Sequence, residues 1–145
     1  MSWYQKKISL KSRSRGAYLI TEEIINALPE LKDYKVGVLH LFLQHTSAGL
    51  SLNENWDSDV RQDLNLALNE LVPDDVKGTH YAHSSAGEGP DDMPGHIKST
   101  LVGTDLTIPI SNGRLATGTW QGIYLLEFRD YQHTRNVVAT INGQK

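Results

Sequence analysis

Six histidines stand in a chain of 145 residues. Three of them, His45, His83 and His96, fall in or beside segments rich in turn-forming residues. Neutral imidazole is the commonest zinc ligand, and three protein ligands plus water make a catalytic site with an open position. No H-E-x-x-H pattern joins the three, so by spacing alone an ordinary hydrogen-bonded histidine is the more frequent reading of each. His40 shares a strand face with Val36, Val38 and Phe42 and reads as a satisfied core histidine.

Carboxylates lie close to these histidines in the chain. Glu54 and Asp57 follow His45 by one short predicted strand, and Asp91 and Asp92 precede His96. A carboxylate can orient a ligating imidazole or act as a general base. The plainer readings are a helix cap for Asp57 and a solvated loop for Asp91 and Asp92. Glu127 shares a predicted strand face with Ile123 and Leu125, where burial raises a carboxyl pKa unless a cation or metal compensates. Arg129, two residues on, is its ordinary partner. Thr46, Ser47 and Gly49 offer hydroxyls and amides of the kind that hold phosphate oxygens. Lys98 and Arg135 are candidate phosphate clamps. On a helix Lys98 is turned roughly 200° from His96, which makes the bidentate guanidinium of Arg135 the better clamp.

These residues need a scaffold, and the patterning supplies one. Trp3 to Leu10 alternates, with Tyr4, Ile8 and Leu10 on one side and Lys6 as the polar exception, which predicts a half-buried strand. Thr21 followed by Glu22 and Glu23 predicts a helix start, and Pro29 its end. Lys35 to Leu43 is apolar on both faces, as in a central strand. Leu50 to Asn53 reads as a short strand. Asp57 or Ser58 caps a helix with Val60, Leu64, Ala67, Leu68 and Leu71 as its stripe. Residues 78–95 form a long irregular stretch, and such loops are usually functional or disordered. Pro94 to Lys98 opens a short helix that Gly103 ends. Leu106, Ile108 and Ile110 alternate before the Asn112-Gly113 hairpin signal, and Trp120–Arg129 and Val137–Ile141 complete the strands. The expectation is one domain over 1–145, α+β and mainly β, with a β-sandwich-like core and two or three short helices.

Composition removes several function classes. A net charge of −3 with scattered cations disfavours nucleic acid. No apolar run approaches the roughly 18 residues of a spanning helix, so no membrane partner is expected. With Cys 0 there is no thiolate nucleophile and no cysteine-ligated zinc. The opening residues lack the apolar core of a signal peptide, which makes cytoplasm the expected location.

Three segments carry a resemblance. Leu43-Gln44-His45-Thr46-Ser47-Ala48 with Leu52-Asn53-Glu54, then Asp91-Asp92-Met93-Pro94-Gly95-His96-Ile97-Lys98, then Thr117-Gly118-Thr119-Trp120-Gln121-Gly122-Ile123 resemble, in order, the motifs of the YjbQ-like family. The resemblance runs from about Trp3 to Gly143. It implies a β-sandwich with a few helices, assembled as a homotrimer with active sites near the subunit interfaces. It also implies thiamine-phosphate synthase activity, a transfer joining a pyrimidine methyl diphosphate to a thiazole phosphate with release of diphosphate. The implied cofactor is a divalent metal, zinc by its donors, held by His45, His83 and His96, with His80 the alternative loop ligand. Glu54 and Glu127 are then the catalytic carboxylates. Thr46, Ser47, Lys98, Gln121 and Arg135 bind the phosphorylated substrate. Diphosphate departure ordinarily employs magnesium and oxygen ligands, whereas histidines favour zinc. Metal-assisted hydrolysis of a small phosphate ester, or a non-catalytic metal- or ligand-binding trimer, are the alternatives.

Overall fold

The computed structural model describes residues 1–83 and 87–145. In chain order its elements are β1 (Ser2–Ser9), β2 (Gly16–Leu19), α1 (Thr21–Ala27), a 3₁₀ turn (Pro29–Asp33), β3 (Val36–Leu43), β4 (Ala48–Glu54), α2 (Ser58–Leu71), α3 (Asp92–Val102), β5 (Asp105–Ser111), β6 (Arg114–Leu115), β7 (Gln121–Glu127) and β8 (Asn136–Gln144). The strands pair antiparallel into a five-stranded sheet, order β1-β8-β3-β5-β6, and a three-stranded sheet, order β2-β7-β4. The protein is therefore α+β and mainly β.

Period-two patterning explains how the sheets stack. Leu39, Leu41 and Leu43 of β3, Ile108 and Ile110 of β5 and Val137, Ala139 and Ile141 of β8 turn inward. They meet Leu50 of β4 and Ile123 and Leu125 of β7. The opposite face of β7 presents Tyr124 and Leu126, which pack with Phe128 against Leu64 and Leu68 of α2 and Val102 of α3. Three layers result: a five-stranded sheet, a three-stranded sheet buried on both faces, and helices. Burial on both faces is why Gly122 to Phe128 read as a nearly continuous apolar run.

Several sequence expectations are refined. Lys6, the polar exception in β1, donates from Nζ to Ala27 O at 2.9 Å, so its tip reaches the end of α1. Asp57 caps α2 by accepting from Asp59 N at 2.9 Å. In α2 the stripe is narrower than predicted, since Leu71 is 72% exposed. His40 is a correction. It does share a face with Val36, Val38 and Phe42, but that is the outer face of the sheet, where its Nε2 lies 3.1 Å from Asp105 Oδ2. Apolar neighbours on a strand do not say which side the core is on.

No helix among the described residues is long and apolar enough to cross a membrane. Between α2 and α3 the chain leaves the layers. Asp75 N donates to Pro90 O at 2.9 Å, pinching this excursion shut at its base. Inside it, the Asp75 carboxylate accepts from the amides of His80 and Tyr81.

Candidate functional site

Asp92 and His96 lie one turn apart on α3, so their side chains share a face. Close packing sets that helix against β4. A Cβ at Gly49 would meet Val102 Cγ1 at 2.8 Å, and Ser99 Oγ donates to Ala48 O at 2.7 Å. His96 is thereby brought to the β3–β4 loop, where its Nδ1 lies 2.9 Å from Thr46 O. A carbonyl only accepts, so Nδ1 carries the proton and Nε2 keeps its lone pair. That Nε2 sits 3.4 Å from Asp92 Oδ1, while His83 Nε2 is 2.6 Å from Asp92 Oδ2. His83, Asp92 and His96 each present a ligand atom, all within 4.8 Å of one another.

Arg129 and the Asp130 amide hold Asp92 and its neighbour Asp91. Arg129 is 2.9 Å from Asp91 through Nε and 2.8 Å from Asp92 through Nη1. It also donates to Glu88 O. Asp130 N donates to Asp91 Oδ2 at 2.9 Å. Burial pushes the Asp91 carboxyl up, but the Asp130 amide and Arg129 outweigh it and hold the group below its ordinary value. Asp91 and Asp92 are thus buried members of a network, not solvated loop acids.

His45 stands apart from the cluster. Its Nε2 accepts the Asn136 amide at 2.8 Å. The neutral ring then carries its proton on Nδ1 and has no lone pair left for a metal. Burial, followed by the nearby Arg135 charge, lowers its pKa and favours this neutral form. The structure therefore joins two of the three expected histidines and puts Asp92 where His45 was expected. His80, the alternative loop residue, packs edge-on against Tyr81 at 4.6 Å.

The expected phosphate clamps are turned inward. Arg135 donates from Nε and Nη2 to the two Glu127 oxygens, both at 2.6 Å. Its Nη2 also reaches Ser47 O at 3.1 Å and Ser47 Oγ at 2.9 Å. Glu127 is wholly buried, and Arg129 N donates to its Oε2 at 3.1 Å. Glu127 is thus the counter-charge of Arg135, not a free base, and the Ser47 hydroxyl oxygen accepts from the same arginine. Lys98 is also wholly buried, with Nζ 2.6 Å from Asn69 Oδ1 and 5.3 Å from the Phe128 ring. Burial, with Arg15 adding to it, lowers its pKa to about 8.

Glu54 and Gln121 face each other at the far end of the β4–β7 ladder. Seven strand residues at about 3.3 Å each put them about 20 Å from the Ala48 end, where the cluster lies. The Glu54 carboxylate accepts from the amides of Trp56 and Asp57, leading the chain into α2. Gln121 Oε1 accepts from Gly118 N at 2.8 Å. Neither reaches the cluster within one chain.

Beside the cluster opens a shallow cavity of about 590 Å³, lined by His45, Thr46, His96, Ser99, Thr100 and Thr104. Its polar character comes from hydroxyls and imidazoles, with no Lys or Arg in the lining. Ser99, Thr100 and Thr104 carry no sequence signal, and Asp92, ahead of the helix start expected at Pro94, is not expected as a ligand. The i,i+4 spacing of Asp92 and His96 was the available signal. Arg129 carried none, because its partners lie 37 and 38 positions away.

A mainly-β α+β domain with a two-histidine, one-carboxylate cluster beside a hydroxyl-lined cavity is the class that fold and site define. The family described as UPF0047 protein YjbQ-like matches residues 6–144. UPF0047 protein YjbQ of Escherichia coli O157:H7 is 48% identical over 142 residues, 98% of this chain and 99% of its own. UPF0047 protein MJ1081 of Methanocaldococcus jannaschii is 39% identical over 140 residues, 96% of this chain and 94% of its own. A solved structure from Clostridium acetobutylicum, described as an uncharacterized conserved protein of the YjbQ/UPF0047 family, is 35% identical. It superposes with a TM-score of 0.73 and covers 98% of this chain and 100% of its own. Hypothetical protein APE1520 of Aeropyrum pernix K1 superposes with a TM-score of 0.83 at 24% identity, covering 97% and 99%, a likeness of fold. This chain belongs to the YjbQ-like (UPF0047) family.

Proposed function

We propose that the protein is a metal-dependent enzyme acting on a small phosphorylated substrate, with thiamine-phosphate synthase activity as the reaction the family resemblance implies. The observation that supports the metal reading is that His83, Asp92 and His96 each present a possible ligand atom, all within 4.8 Å of one another. Two imidazole nitrogens and one carboxylate oxygen suit zinc and leave a position open, as in catalytic zinc sites. His83, Asp92 and His96 would hold a divalent ion, which would supply Lewis-acid stabilisation to a phosphoryl oxygen.

The chain's own residues do the rest. Thr46 O fixes the tautomer and orientation of His96. Arg129 holds the Asp92 carboxylate in place. His45, with its proton on Nδ1, offers a donor to the cavity, and Thr46 and Thr104 line it with hydroxyls.

Metal-assisted hydrolysis of a phosphate ester is the second reading. The nitrogen-containing donor set and the engagement of Lys98 and Arg135 elsewhere support it. We also take the assembly to be a homotrimer. Trp3, Val36, Val38 and Phe42, exposed by 73%, 57%, 41% and 45% on one outer sheet face, are suited to an interface between copies.

Elemental analysis of purified wild type, Asp92→Ala, His96→Ala and His45→Ala tests the centre. Near-stoichiometric zinc in wild type and His45→Ala, with background in the other two, is the expected pattern. Equal metal in wild type and Asp92→Ala would refute it. Product formation from the pyrimidine diphosphate and thiazole phosphate, against hydrolysis of a simple aryl phosphate, separates the two reactions. Light scattering that returns a monomer mass would remove the trimer.

A further inference from the structure

A second cavity, of about 490 Å³, is lined by α1, the 3₁₀ turn and the β5–β6 hairpin and shares no residue with the first. Its floor is aliphatic. Leu28 and Leu31 reach it from the core, Leu115 packs beside them, and Ile25 stands 38% exposed in its wall. Two cations, Lys32 and Arg114, line the same cavity, and its lining contains no Asp or Glu. In a chain of net charge −3 that local excess is opposite to the whole. Neither cation has an ion-pair partner within 4.0 Å among the described residues.

The cavity is built before any ligand arrives. Asn112 and Gly113 form the two-residue hairpin turn between β5 and β6 with φ of 51° and 74°, the left-handed geometry of a type I′ turn. Asn112 N donates to Lys35 O and Gly113 N to Tyr34 O, both at 2.7 Å. A Cβ at Gly113 would meet Lys32 O at 2.8 Å, so the hairpin backbone rests directly on the 3₁₀ turn. That contact places Arg114, next after the turn, and Lys32 at the same cavity. Fixed walls, an apolar floor and a few polar groups are the makings of a small-molecule site.

We propose that this cavity binds an aliphatic chain ending in an oxyanion. The chain lies on Ile25, Leu28, Leu31 and Leu115, and the head is held by Lys32 and Arg114. An aliphatic floor without aromatic rings suits a chain better than a flat heterocycle. A guanidinium and an ammonium without other partners suit an oxyanion.

Isothermal titration of the full-length protein tests this, with octanoate and octyl phosphate as probes and octanol and octylamine as controls. The expected result is saturable binding of at least one anion, at least tenfold tighter than either control. The two anions together tell a carboxylate head from a phosphate head. Lys32→Ala/Arg114→Ala should weaken the anion at least tenfold and leave octanol unchanged. Ile25→Asp should abolish binding of the anion. Melting temperature and bound metal of each variant should match wild type, which separates loss of the site from loss of the fold. No saturable binding of either anion, octanol binding as tightly as octanoate, or undiminished binding by the double variant would each overturn the proposal. So would a crystal structure with a second copy of the chain filling the cavity.

Discussion

Replacing Arg135 by alanine should cost the fold about 3–5 kcal/mol, the range for removing one partner of a buried pair. Four hydrogen bonds go with the guanidinium, two to Glu127 and two to Ser47. What remains is a Glu127 carboxylate with no exposed surface and the Arg129 amide as its remaining partner. The two singles of the cycle, Arg135→Met and Glu127→Leu, should each lose this much, because methionine strands the Glu127 charge as alanine does. Glu127→Leu/Arg135→Met should recover most of it, because removing both charges together strands neither. The coupling from the cycle should therefore exceed about 2 kcal/mol, beyond what additive sites show. Urea unfolding followed by circular dichroism, at one fixed protein concentration, measures the four proteins of the cycle and Arg135→Ala. The accompanying fall in Tm for Arg135→Ala is roughly 10–20 °C for a domain of this size. A loss under about 1 kcal/mol would refute the reasoning. So would a double variant as unstable as the sum of the singles. Either result would return Arg135 to the anion site suggested by its sequence context.

Arg129→Ala should weaken zinc binding by about 10–100-fold, the usual effect of losing a group that orients a ligand, with Arg129→Lys intermediate; competition with a chelating dye measures it. Gly113→Ala should cost about 1–2 kcal/mol in urea unfolding, because an L-residue is strained in the left-handed region. In metal-free protein Lys98 should make stability rise with pH. Its pKa is 10.5 when free and about 8 in the fold, so between those values the unfolded chain binds more protons than the native one. The gap between wild type and Lys98→Met should shift in favour of wild type across that window, by at most about 1.4 kcal/mol per pH unit. A flat difference would mean that Lys98 keeps its water.

Much of the fold was legible because period-two patterning speaks directly of faces. The inward row of β3, β5 and β8 follows from it. Which face meets the core is a tertiary fact, and His40 shows the gap. Its neighbours Val36, Val38 and Phe42 look like core residues and lie on an outer surface. Of the candidate cluster, His83 and His96 were legible as loop and helix-start histidines, whereas Asp92 was not, because the expected helix begins at Pro94 and the observed one at Asp92. The site was illegible where long-range pairing decides. Nothing near Glu127 in the strand says that Arg135 will fold back onto it. Nothing near Glu54 and Gln121 says that the β4–β7 register carries them to the far end of the ladder. Rows of apolar residues report burial, whereas the partner of a buried charge is fixed only when strands meet.

The pinch between Asp75 and Pro90 bears on how this site can evolve. The segment it closes is a pendant: its two ends are already held together by the amide–carbonyl bond, so α2 and α3 keep their places whatever its length. Doubling the length of a connection adds only about 0.6 kcal/mol of closure entropy, so insertions between those two ends cost the fold little. His83 rides on that pendant, whereas Asp92 and His96 are anchored on α3. Lineages can thus lengthen, shorten or rewrite the His83 segment, changing one member of the cluster while Asp92 and His96 stay fixed.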